Sequence, residues 1–148
     1  MRSISVLCLA GVLAACSTIT RGGDAQVVSL AQDIGNKADT FYALLLTKTA
    51  PDCDLAHNVQ AYDHLDAMAA SLQARSAEVK GGPALDRAIA ALSQALADAR
   101  ESHRLASANP GDEYGVCMAT GAIELNRGAV SRASAAIAAS QSSQGDQQ

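Results

Sequence analysis

Apolar residues recur at alternating spacings of four and three in four successive stretches of this chain, and proline or glycine closes the first three of them. In the first stretch, Val27, Ala31, Ile34, Ala38, Phe41 and Leu45 lie 4, 3, 4, 3 and 4 residues apart. A helix turns every 3.6 residues, so these positions share one face, whereas a half-buried strand would alternate at every second residue. Asp24 is placed to cap this helix, and Lys48 near its end suits the negative pole. Thr49-Ala50-Pro51-Asp52 then breaks the run. Proline disfavours helical backbone in the residue before it, and Asp52 can cap the next segment.

The second face reads Leu55, Val59, Tyr62, Leu65, Ala69, Leu72 and Val79, and stops at Lys80-Gly81-Gly82 with Pro83 at a first helical position. The third reads Leu85, Ile89, Leu92, Leu96, Ala99 and then His103, up to Asn109-Pro110-Gly111-Asp112. The fourth reads Val116, Ala119, Ile123, Val130, Ala133 and Ile137, weakened by Gly121 and Gly128. Similar helices joined by short breaks predict an all-α, up-and-down four-helix bundle over residues 24–140. The Ser/Gln-rich residues 141–148 read as a disordered tail. Composition supports the class. Leu, Ile, Val and Phe number 30 of 148 residues against 32 alanines, so the core is thin and the helix axes must approach closely. Aromatic residues at 3% argue against a β-sandwich or barrel, and a net charge of −4 argues against a basic nucleic-acid surface.

The chain begins MRSISVLCLAGVLAAC. Arg2 is a short positive region, and the uncharged run from Ile4 to Ala15 is too short to span a bilayer as a helix but suits a secretory signal. Its end, Leu13-Ala14-Ala15-Cys16, resembles the lipobox of bacterial lipoproteins. The resemblance implies that residues 1–15 are removed, that Cys16 is lipidated, and that residues 16–23 form a short tether. Ser17 lacks the Asp that retains many such proteins at the inner membrane, which favours the periplasmic face of the outer membrane. The alternative is an ordinary cleaved signal, because small residues before Cys16 also suit ordinary signal peptidase.

If Cys8 leaves with the signal and Cys16 carries lipid, Cys53 and Cys117 remain. A single pair in an oxidising compartment is the count expected of one structural disulfide; a two-thiolate metal site is the rarer alternative, and neither cysteine belongs to a C-x-x-C. The pairing places Cys53 at the start of the second helix and Cys117 in the first turns of the fourth. These helices are diagonal in a square bundle, and a bridge needs Cα atoms within about 7 Å, so the second and fourth helices are expected to lie close in a flattened bundle.

Chemistry-bearing residues are sparse. His57 and His64 lie seven apart, too far for one metal ion to share readily. They read as a solvated flank, or as a pH-sensitive edge. His103 falls in the core register. It reads as a hydrogen-bonded core histidine, or as a haem ligand with Met118 or Met68. Asp98, Arg100, Glu101 and Arg104 form a mixed-charge patch, with Glu101 and Arg104 spaced as a helix-surface pair. Asn126 and Arg132 lie near the fourth face, where Asp63 or Asp66 is expected to satisfy them. No nucleophile elbow, H-E-x-x-H or phosphate loop is present, and no catalytic role or cofactor is expected. The expectation is a membrane-anchored periplasmic module that binds an envelope protein through the bridged end, at Asp52, Asp54, His57, Glu113 and Tyr114. A small-ligand or metal carrier and a self-associating structural lipoprotein are the alternatives.

Overall fold

The alternating spacing closes into four helices in the computed structural model, which describes residues 24–79, 81–109 and 115–142. They are α1 (Ala25–Leu45), α2 (Leu55–Glu78), α3 (Gly82–Ala108) and α4 (Thr120–Ser142). No strand occurs among the described residues. Each helix packs on its neighbours in sequence and α4 returns to α1, giving the square order α1, α2, α3, α4 of an up-and-down bundle. Residues 1–23, with Cys16 and the lipobox, lie outside the described residues, as do Glu113, Tyr114 and positions 143–148.

The expected faces are the buried ones in α1 and α3. Val27, Ala31, Ile34, Ala38, Phe41 and Leu45 line the core from α1, joined by Tyr42. Leu85, Ile89, Leu92, Leu96, Ala99 and His103 line it from α3, with Ala88. In α2 the buried residues are Asn58, Tyr62, Leu65, Ala69 and Leu72, so Asn58 occupies the register expected for Val59. That set keeps the 4, 3, 4, 3 spacing; only its polar first member departs from the apolar pattern. In α4 the helix begins at Thr120, so Val116 and Ala119 precede it, and Met118, 5% exposed, fills that end of the core.

Alanine decides how near the helices come. With Ala31 and Ala38 facing the centre from α1 and Ala133 from α4, α1 and α4 approach closely enough that a Cβ added at Gly35 would sit 3.2 Å from Ser134 Cβ. Arg127 of α4 also reaches Asp39 of α1 at 2.6 Å. The buried aromatic side chains gather towards one end. Phe41 stands edge-on to Tyr62 at 4.9 Å between ring centres and lies 5.2 Å from Tyr42.

Several boundaries differ from expectation. Asp54, not Asp52, caps α2 by accepting from the His57 N–H. Asp24 caps α1 as expected, accepting from the N–H groups of Gln26 and Val27. Helix α4 continues through Gln141 and Ser142, into what reads as tail from the sequence. Gln141 is 2% exposed, and its Oε1 accepts from the Asp24 N–H at 2.8 Å, so a helix-ending side chain is held by the start of α1. Between α2 and α3, Gly82 takes φ +66°, a left-handed conformation that side chains rarely adopt, which lets the chain turn straight into Pro83.

Candidate functional site

The end of the bundle that holds the α1–α2 connection, the last turns of α3 and the first residues of α4 carries most of the polar chemistry. Cys53 and Cys117 are bonded there, with Cα atoms 5.1 Å apart. The expected flattening does not occur: no Cα atom of α2 comes within 8 Å of one in α4. Neither cysteine is helical. Cys53 precedes the α2 cap Asp54, and Cys117 comes three residues before α4. Connecting segments can cross the diagonal above the helix ends, so the helices themselves need not meet.

Beneath the bridge lies His103, fully buried. Its Nε2 is 2.8 Å from the Cys53 carbonyl, and its Nδ1 is 3.1 Å from the Tyr62 hydroxyl. A carbonyl can only accept, so Nε2 carries the proton and donates to it, while Nδ1 accepts from the Tyr62 O–H. This places the neutral ring in a single tautomer. Burial pushes the His103 pKa below its ordinary value and the Tyr62 pKa well above its own, so both groups resist charging. The core reading of His103 is therefore the structural one. With both nitrogens bonded, no ring lone pair is left for a haem iron, although Met118 lies nearby at the same end.

The loop above is organised by Asn58, a residue that sequence reasoning missed. Its Nδ2 donates to the carbonyls of Asp52 (2.8 Å) and Asp54 (2.6 Å), and its Oδ1 accepts from Lys48 Nζ at 2.6 Å. Lys48 therefore ties the loop to α2 in place of the role expected for it at the end of α1. Ser107 of α3 adds a further tie, accepting from the Leu55 N–H at 2.8 Å. These bonds are partly buried, and among the groups that make them Asn58 stands in the hydrophobic register of its helix. Strict helical spacing would have selected position 58, but its polarity hid it.

Of the residues expected to bind a partner, the structure describes three and brings them to this end. Asp54 is committed locally. The His57 N–H and ring Nδ1 both lie within hydrogen-bond distance of its carboxylate, the ring at 2.7 Å, and these bonds hold its pKa below the usual carboxylate range. His57 is half exposed beside it, and the side chain of Asp52 is exposed. Glu113 and Tyr114 lie outside the described residues. A pocket of about 340 Å³ opens at the same end, walled by Leu45, Leu46, Met118 and Ile123 with the disulfide and His103, and rimmed by Lys48 and Thr120.

Other expected candidates are dispersed. His64 is exposed on α2, and no group of three or more His, Cys, Asp or Glu among the described residues is placed to hold a metal ion. Glu101 and Arg104 form the expected surface pair, two bonds of 2.6 Å. Arg100 crosses from α3 to α2, reaching Asp63 and Asp66 at 2.8 Å each. Those carboxylates are thus taken by α3. They do not satisfy Asn126 or Arg132 of α4, which face a different side of the square. Among the described residues, no helix is long and apolar enough to cross a membrane. Compared with known protein families, characterised proteins and solved structures, the chain matches none.

Proposed function

We propose that this chain is a lipid-anchored interaction module of a bacterial envelope, displaying its bridged end to a protein partner. The observation that carries the reading is polarity of placement. The chain enters the bundle at Asp24, beside Gln141 and Arg75, at the end opposite the Cys53–Cys117 bridge. A helix of 21 to 24 residues, as in α1 and α2, is about 31 to 36 Å long at 1.5 Å per residue. Lipidation at Cys16, eight residues before Asp24, would hold one end at the bilayer and present the other at that distance. Two cysteines joined by a disulfide suit an oxidising compartment. Asp52 and His57 are exposed at the displayed end, and the Asp52 carboxylate suits a basic group on the partner.

The test places a photo-crosslinking residue at Asp52 or His57, and as a control at Glu78, an exposed position at the opposite end. Crosslinked envelope protein from the first two positions alone, lost in a Cys16→Ser form that no longer fractionates with membrane, supports the proposal. A wild-type chain that stays in the soluble fraction, or equal crosslinking from Glu78, overturns it.

The pocket at the bridged end favours a second reading, a carrier for a small, mostly apolar ligand. Its walls are aliphatic and thioether side chains with two polar groups at the mouth, the usual make-up of a ligand site. A thermal-shift screen with amphipathic small molecules decides it; a melting temperature that no compound moves removes this reading.

A further inference from the structure

The α3–α4 side of the square is furnished unlike the other three. A groove of about 680 Å³ runs between the two helices, with Ala91 and Ala95 on one wall and Ala129 and Ala133 on the other. Leu125, 67% exposed, stands in its α4 wall and is the most exposed large hydrophobic residue described. Leu105, 48% exposed, continues the α3 wall, since Asp98, Ser102 and Leu105 are spaced by four and three. Asn126 also lines the groove; it is 8% exposed, and its Nδ2 finds no acceptor among the described residues.

Charge says what covers this face. Arg75, Arg100, Arg104 and Arg127 all reach carboxylates within their own chain. Arg132, in the α4 wall, reaches none among the described residues, as Arg87 elsewhere on α3 also reaches none, and Asp98, in the α3 wall, takes only an amide hydrogen from Gln94 at 2.7 Å. One groove therefore offers an exposed cation on one side and an exposed anion on the other, neither matched at home. The walls span 91–102 of α3 and 125–133 of antiparallel α4, so the two charges differ in height by about one helical turn, within reach of an arginine side chain.

We propose that this groove is a contact face between two copies of the chain, related by a two-fold axis running parallel to the helices. That operation lays α3 of each copy against α4 of the other. Asp98 of one copy then meets Arg132 of the other, twice, and the exposed leucines and groove alanines are buried between them. A two-fold axis across the helices would instead set α3 on α3 and α4 on α4, turning each charge towards its own kind. The parallel axis also keeps both Asp24 residues at one end of the dimer, so both copies could be tethered to one surface; the dimer itself does not depend on that tether.

Sedimentation of the purified full chain over about 1 to 100 µM reads the outcome directly. The wild type should dimerise. Asp98→Arg alone and Arg132→Asp alone should each weaken the dimer about tenfold or more by placing like charges together, and the double exchange should restore it. Leu125→Glu, which leaves the charges in place, should also yield monomer. All three positions are exposed and outside the core, so an unchanged melting curve and helical circular dichroism verify folding. A wild type that stays monomeric throughout, or a dimer that the single changes leave intact and the double does not rescue, overturns the proposal. Dimerisation of a chain that fails to fractionate with membrane would leave this inference standing and remove the envelope reading.

Discussion

The two ends of the bundle are closed by different chemistry. At the bridged end a covalent bond joins two connecting segments, and beneath it a neutral histidine, a tyrosine and a phenylalanine are packed together. At the other end a clasp of side chains does the work. Arg75 of α2 bonds both Asp24 and Glu78, and Asp24 in turn caps α1 and donates its N–H to Gln141 of α4. The first closure is buried and permanent under oxidising conditions. The second is partly solvated, so each of its ion pairs contributes little alone. Large aliphatic side chains are buried along the whole bundle, and the bridged end differs in joining its buried aromatic side chains to a covalent crosslink.

The largest break in this contrast comes from the bridge. Replacing Cys53 and Cys117 together by serine should cost on the order of 4 kcal/mol, since a crosslink over a sequence separation of 64 constrains the unfolded chain strongly. Urea denaturation of the variant, or of wild type with reductant, reads this directly. A loss under about 1 kcal/mol would show that the bridged end is held by packing alone.

Next is His103→Leu, which strands the Tyr62 hydroxyl and the Cys53 carbonyl without partners in a dry core; about 2 to 3 kcal/mol is expected. Tyr62→Phe in the same background should then cost little, because the hydroxyl has already lost its acceptor. At the opposite end Asp24→Ala removes a helix cap and the Arg75 contact, for about 1 kcal/mol. Glu78→Ala, at a 67% exposed position, should be close to neutral.

The finest separation of the two ends is by pH. Folded His103 binds a proton less readily than it does in the unfolded chain, so its contribution is intact above about 6.5 and declines as pH falls below that value. The hydrogen bond from Arg75 holds the Asp24 carboxyl below the usual range, so the clasp persists to lower pH and weakens only in the acid range under about 4. Hydrogen exchange followed from pH 7 to pH 4 should therefore loosen the bridged end first. Loss of protection at the Asp24 end before the His103 end would reverse the assignment.

How far the sequence could be read differs helix by helix. In α1 and α3 the expected spacing and the buried face coincide, because apolar residues occupy the core register there, with His103 as its polar last member. In α2 the reading slipped by one residue at Asn58, where a polar side chain is buried to hold a loop that does not exist in the sequence pattern. Gln141 escapes the pattern for the same reason: a polar residue in a Ser/Gln-rich stretch reads as tail unless its donor, the Asp24 N–H more than a hundred residues away, is known. At the bridged end the division of labour between Asp52 and Asp54 is not visible in the sequence, since capping depends on the backbone conformation at one residue.

By itself the sequence determined the fold class, the number of helices and the pairing of Cys53 with Cys117. Those follow from periodicity, from chain breakers and from counting, all of which act locally or by exclusion. Only the tertiary structure decided that the bridge runs over an open square, that His103 is a doubly bonded neutral ring, and that Asp98 and Arg132 face one groove unmatched. Each of these depends on which helix stands beside which. Helical spacing fixes the direction a side chain takes from its own axis, but the neighbour it meets is set by how four such axes pack.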